Sequence, residues 1–99
     1  MPEAQVKAGV RKILDEEKVW YFMPTGAGYG RAGIPDIVAC VNGHFLAIEC
    51  KAGKGKTTAL QEREIQRIQD AGGLVVVPNE SSIAQVRVAV QALKLRSRI

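Results

Sequence analysis

Cysteine and histidine are scarce in this sequence, and two broad classes go with them. Cys40 and Cys50 are the only cysteines, no Cys-x-x-Cys pair occurs, and His44 is the only histidine. That is too little for a disulfide framework or for a four-ligand zinc module. A reduced, cytoplasmic setting is the expectation. Long apolar runs are also missing: none approaches the ~18 residues of a spanning helix, and the N-terminus has no signal-peptide core. No membrane partner is expected. Repeats, low-complexity tracts and linkers are absent, so the 99 residues are expected to form one domain, 1–99. A chain of this length buries somewhat over ~60% of its unfolded surface, enough for one core without staples. The net charge of +4 permits a polyanionic partner without requiring one.

What is present is organised around residues 34–51, two short apolar runs joined by Asn42-Gly43. Asn-Gly between apolar runs is a strong hairpin signal, because a type I′ turn needs φ > 0 at both central residues. A two-residue turn also sets the register. Val41 then faces His44, Cys40 faces Phe45, Ala39 faces Leu46, Val38 faces Ala47, Ile37 faces Ile48 and Asp36 faces Glu49. Alternation puts Asp36, Glu49 and Lys51 on one face and points Cys40 and Cys50 to opposite faces. Opposed residues have Cβ atoms about 4.5–5.5 Å apart, where like charges are destabilising. A hard divalent cation between the two carboxylates relieves that conflict. Two acids and an amine at the open end of a hairpin point to metal-assisted hydrolysis. The plainer alternative is a surface cluster of ion pairs.

Helical spacing of Val6, Val10, Ile13 and Leu14 predicts a helix over about 2–18, with Pro2 in its first turn. Glu3 lies three residues before Val6, so it extends the apolar face. It is either an acid carried toward whatever the helix packs on or a favourable first-turn charge. Asp15, Glu16 and Glu17 read as a solvated cluster. Residues 19–23 (VWYFM) predict a strand ended by Pro24, with Trp20 expected in the core rather than on a base-stacking surface. Residues 28–33 spell Gly-x-Gly-x-x-Gly but lead into a strand, so they are no dinucleotide fingerprint. They predict a mobile loop in which Tyr29 and Arg31 either meet a phosphate backbone and a base or are ordinary loop residues.

After Lys51, Lys54 and Lys56 lie in a glycine-rich loop suited to neutralising phosphates, or simply to solubility. Thr57 or Thr58 is expected to cap a helix over about 59–71, with Leu60, Ile65, Ile68 and Ala71 on its apolar face and Gln61 near the Glu49–Lys51 strand. Gly72-Gly73 ends it. Residues 74–77 (LVVV) predict a buried strand. Ser82 and Gln85 predict a capping box for a last helix that buries Ile83, Val86, Val90 and Leu93. Lys94, Arg96 and Arg98 make a basic tail.

This order, with Glu3, Gly33-Ile34-Pro35-Asp36, Ile48-Glu49-Cys50-Lys51, Gln61 and Gly72-Gly73, resembles the VRR-NUC family of the PD-(D/E)xK nuclease superfamily, in the stand-alone phage and bacterial form. The resemblance covers nearly the whole chain. It implies an α/β fold with a restriction-endonuclease-like core, a central mixed β-sheet flanked by helices. It implies that Asp36, Glu49 and the Cys50 carbonyl hold Mg²⁺ or Mn²⁺, with Glu3 completing the set directly or through water. Lys51 would orient the attacking water and stabilise phosphoryl charge, and Gln61 would position Lys51. The implied function is a metal-dependent DNA endonuclease acting on branched DNA such as Holliday junctions, in the cytoplasm of a phage-infected or bacterial cell. Cutting both strands of a junction needs two sites, so a homodimer is expected; a monomeric nicking or flap nuclease is the runner-up. The rivals from other classes are a catalytically silent DNA-binding module and a small protein-binding domain.

Overall fold

In the computed structural model, residues 2–24 and 32–98 are described. Along the chain come α1 (Glu3–Glu16), β1 (Trp20–Phe22), β2 (Ile37–Val41), β3 (His44–Ile48), α2 (Ala59–Asp70), β4 (Leu74–Val76) and α3 (Ala84–Leu95). The sheet order is β1-β2-β3-β4. The first two pairings are antiparallel and the β3–β4 pairing is parallel, as the mixed sheet required. Asn42 and Gly43 both take positive φ, 55° and 84°, and the five predicted pairings from Val41–His44 to Ile37–Ile48 are observed.

One face of the sheet carries the core. Ile37, Ala39 and Val41 of β2, Leu46 and Ile48 of β3, and Cys50 just beyond pack with Val6, Val10, Ile13 and Leu14 of α1 and Val86, Val90 and Leu93 of α3. The helical spacing of these residues produces the packing: each helix offers one apolar stripe and keeps its other faces in water. The two helices are further tied at the C-terminal end of α1. Arg87 of α3 pairs with Glu16 and Glu17, and Lys94 pairs with Glu17 at 3.0 Å. Tyr21 donates its hydroxyl to Asp15 at 2.8 Å. The acidic run at 15–17 is therefore a set of paired groups, not the solvated cluster expected, because α3 brings cations to it. Those pairings also hold the Glu17 carboxyl below the usual range.

Among the described residues, the other face is covered by α2, over β3 and β4. There Ile68 lies so close that a Cβ at Gly73 would stand 2.6 Å from its methyl and 3.0 Å from the Phe45 ring. Over β1 and β2 no described element covers that face. Trp20 is 64% and Phe22 48% exposed, in ring contact at 5.7 Å between centroids. The expectation of a core Trp20 is overturned. Alternation sends Tyr21, with Val19 and Met23 around the strand, toward the core, and leaves Trp20 and Phe22 on the uncovered side.

Three smaller expectations also change. The apolar face predicted for α2 is only half-buried at Ile65 and Ile68, and Leu60 is 46% exposed; the buried residue of α2 is Glu64. The Ser82–Gln85 capping box is not formed: the α3 N-cap is Ile83, and Ser82 instead exchanges hydrogen bonds with Asn79 at 2.9 and 3.2 Å. Pro2 is the N-cap of α1 rather than a first-turn residue. The basic tail folds back, with Arg98 donating to Asn42 at 3.2 Å and Asn42 donating to the Arg96 carbonyl at 2.6 Å.

Candidate active site

At the open end of the hairpin the chain keeps strand geometry past β3. The Glu49 N–H donates to the Val76 carbonyl and the Lys51 N–H to the Pro78 carbonyl, each at 3.0 Å. The continued parallel ladder preserves alternation, so Cys50 turns into the core with no exposure while Glu49 and Lys51 share the other side. Across from them, Asp36 follows buried Pro35, and one of its oxygens accepts the Cys50 N–H at 2.8 Å. That bond ties the segment before β2 to the segment after β3 and fixes the carboxylate.

Glu3, Asp36 and Glu49 each bring a carboxylate oxygen within 4.8 Å of the others. Glu3 arrives from the first turn of α1, whose apolar stripe docks on the sheet and carries the acid to its end. Glu49 is 2% exposed. Burial, then its hydrogen bond and charge interaction with Asp36, push its carboxyl up to about 8, against the opposing pull of Lys51. The same surroundings push the buried Cys50 thiol up to about 12. A carboxyl this buried, pressed against a second one, is the conflict that a cation removes. The donor set is all hard oxygen, suited to Mg²⁺-like ions rather than to zinc. The residues present therefore fit a divalent metal.

Lys51 is held in place by Gln61, whose Oε1 accepts from Nζ at 2.8 Å. The same oxygen accepts the Thr58 N–H at 2.9 Å, and Thr58 Oγ accepts the Gln61 N–H at 3.2 Å. Gln61 thus closes the capping box of α2 and fixes Lys51 in one stroke. Gly33 sets the distance between α2 and the acidic strand. Its φ is +87°, and a Cβ there would lie 2.4 Å from the Leu60 carbonyl oxygen. Only glycine lets the backbone entering Pro35-Asp36 lie on the start of α2.

Lys54 and Lys56 are exposed on the loop after Lys51. That loop is tethered where Glu80 accepts the Gly53 N–H at 2.9 Å and Asn79 donates to the Gly53 carbonyl at 3.3 Å. Tyr29 and Arg31 lie outside the described residues. Two charged residues were missed. Lys7 stands 3.3 Å from Asp36 Oδ1. It is one helical turn from Glu3, and that i, i+4 spacing was the available signal. Glu64 is 2% exposed and accepts from Arg67 at 3.4 Å. It lies one turn beyond Gln61, inside a helix whose apolar count was weak.

A mixed sheet with a Pro-Asp and a Glu-x-Lys at the open end of its central hairpin, an acid from the first helix and a lysine held by glutamine define a nuclease of the PD-(D/E)xK type. The family description "Archaeal holliday junction resolvase (hjc)" matches residues 10–72, and the chain belongs to this family. It is 39% identical over 62 residues to the nuclease-named protein p44 of Acyrthosiphon pisum secondary endosymbiont phage 1, covering 62% of this chain and 67% of that one. Among solved structures, a VRR_NUC domain superposes with a TM-score of 0.73 at 23% identity, over 90% of this chain and 94% of the other. A second VRR_NUC domain protein gives a TM-score of 0.73 at 21% identity, over 98% and 92%. The fold is the VRR-NUC fold. No helix among the described residues is long and apolar enough to cross a membrane.

Proposed function

We propose that this chain is a divalent-metal-dependent DNA endonuclease, using Mg²⁺ or Mn²⁺ and acting on branched DNA such as Holliday junctions, in the cytoplasm of the cell that holds it. The observation that carries the reading is the meeting of Glu3, Asp36 and Glu49 within 4.8 Å beside a lysine fixed by Gln61. Nothing in core packing requires that set. Asp36 and Glu49 would hold the ion, with the Cys50 carbonyl and Glu3, the latter directly or through water. When bound, the ion polarises a phosphoryl oxygen and lowers the pKa of a bound water from 15.7 toward about 7.

The protein's own groups do the rest. Glu49, whose buried carboxyl is pushed up to about 8, would release its proton to solvent on taking up the ion and so serve as an anionic ligand. Asp36 is kept in place by the Cys50 N–H. Lys51, whose ammonium keeps two N–H donors beyond the one given to Gln61, orients the attacking water and stabilises charge on the phosphoryl group. Lys54, Lys56, Tyr29 and Arg31 meet the DNA backbone. Two strands of a junction need two sites, so the working form is a homodimer. The exposed sheet face of Trp20 and Phe22 is the surface that a second copy covers.

Cleavage of a labelled four-way junction and of a linear duplex with the same arms tests this, in Mg²⁺, Mn²⁺ or EDTA with Lys51→Ala alongside. Metal-dependent cutting that the variant loses, faster on the junction, is expected. DNA binding without cutting under every condition would instead make the chain a binding module on a nuclease scaffold.

A further inference from the structure

Lys7 has no part in the reaction outlined above, yet it touches the centre of the site. It follows Glu3 by one turn of α1, so the two project from the same side of the helix. Its Nζ lies 3.3 Å from Asp36 Oδ1, while the other Asp36 oxygen is committed to the Cys50 N–H. The side chain is about one-third exposed, 33%, so its ammonium is open to a ligand from solvent. Two ammonium groups therefore flank the carboxylates from different layers. Lys51 comes from the sheet end and leans on α2; Lys7 comes from α1.

Their partners differ in kind. Lys51 is held by a neutral amide, a contact that a cation among the acids leaves intact. Lys7 is held by a carboxylate of the candidate metal set, and a cation sharing that carboxylate weakens the attraction and repels the ammonium. Lys7 then needs another anion within reach. A phosphodiester brought to the same carboxylates presents one.

We infer that Lys7 is a ligand of the scissile phosphate, paired with Asp36 while the site is without metal and transferred to a non-bridging phosphoryl oxygen when cation and DNA are bound. This rests on the nuclease reading. It gives the scissile group a second protein cation, carried by α1 rather than by the sheet end, and makes Lys7 a catalytic residue rather than a prop for Asp36.

The test compares wild type, Lys7→Gln and Lys7→Arg, with Lys51→Ala as the inactive control. Mn²⁺ affinity is measured by calorimetry without DNA. Junction affinity is measured against salt concentration with Ca²⁺ in place of Mg²⁺. Cleavage is followed in single turnovers. Lys7→Gln is expected to bind Mn²⁺ at least as tightly as wild type, since a like charge beside the ligands is gone. Its log–log salt slope for junction binding should fall by about 0.9, the value of one lost phosphate contact, and Lys7→Arg should keep the slope. Single-turnover cleavage by Lys7→Gln should fall by roughly 10². A junction with an uncharged methylphosphonate at the mapped cleavage position should bind wild type and Lys7→Gln alike.

An unchanged slope together with a parallel loss of Mn²⁺ affinity and cleavage would overturn the inference, leaving Lys7 to position Asp36 only. An unchanged slope with unchanged cleavage would remove Lys7 from the site's chemistry. If wild type cuts nothing in any metal, the nuclease reading itself fails, and this inference with it.

Discussion

The two ends of the β2–β3 hairpin, roughly 20 Å apart by strand rise, are built on opposite terms. At the turn, every group agrees with its neighbours. Asn42 and Gly43 adopt the positive φ their residue types favour. Asn42 donates to the carbonyls of Leu93 and Arg96 at the end of α3, and His44 bonds the Ser97 carbonyl at 2.9 Å. At the open end, the same register forces Asp36 against Glu49 and folds Glu3 onto both. The turn end is consistent at every level, and the open end gathers three acids whose mutual repulsion a bound cation would relieve. Local consistency fails at the proposed site, as is common at functional sites of chains whose remaining levels agree.

Substitutions at the open end should produce the largest effects, on chemistry. Asp36→Asn and Lys51→Ala should each lower cleavage by roughly 10²–10³, with little loss of folding stability, as single-turnover rates and melting curves will show. If either variant instead unfolds while retaining its rate per folded molecule, the division between the two ends is wrong.

Glu49→Gln sharpens the comparison, because it should move stability and activity in opposite directions. The Glu49 carboxyl titrates near 8 in the folded chain, against an ordinary value of 4.5. Between those pH values the folded state holds a proton that the unfolded state has released. Stability of the metal-free protein therefore falls as pH rises from about 4.5 to about 8, then levels off. Glu49→Gln should flatten that slope and be more stable than wild type at pH 8, while losing cleavage. Mn²⁺ binding by wild type should tighten over the same pH range, since the ion must displace that proton. Chemical denaturation at several pH values, with EDTA and with Mn²⁺, reads both effects.

Most of this was legible in the sequence where a local rule has a single solution. A two-residue Asn-Gly loop allows one register, and that register alone confronts Asp36 with Glu49. The helical stripes of α1 and α3 were equally plain. What escaped depends on how the layers cover one another. Trp20 and Phe22 have strand-core composition, but α2 reaches only β3 and β4, so the rings stay outside. Glu64 is buried because its helix carries few apolar residues to compete for the sheet. Ser82 had a capping-box spacing, but Asn79 offered it nearer partners. Lys7 was hidden in a different way. Its spacing from Glu3 was visible, but its partner is 29 residues away and becomes a neighbour only once α1 docks.

At the turn end, Gly43→Ala should cost about 1–2 kcal/mol, because its φ of 84° lies where an L side chain is strained. Cleavage per folded molecule should be unchanged. A loss of cleavage out of proportion to the folded fraction would mean that strain at the turn is transmitted along the strands to Asp36 and Glu49, and that the two ends are not independent.

The smallest effect on the folded chain belongs to the open sheet face, and it decides whether the two ends act alone or in pairs. Trp20→Ser and Phe22→Ser remove exposed apolar surface, so melting of the isolated protomer should shift by no more than about 0.5 kcal/mol. If a second copy covers that face, the double variant should sediment as a monomer at concentrations where wild type sediments as a dimer. It should then nick a junction on one strand without resolving it, because each protomer carries one set of Glu3, Asp36 and Glu49. Unaltered sedimentation with paired cuts retained would move the dimer contact elsewhere. A wild type that is already monomeric and still nicks branched DNA would favour a flap- or nick-directed enzyme, with one open end doing the work that two were expected to share.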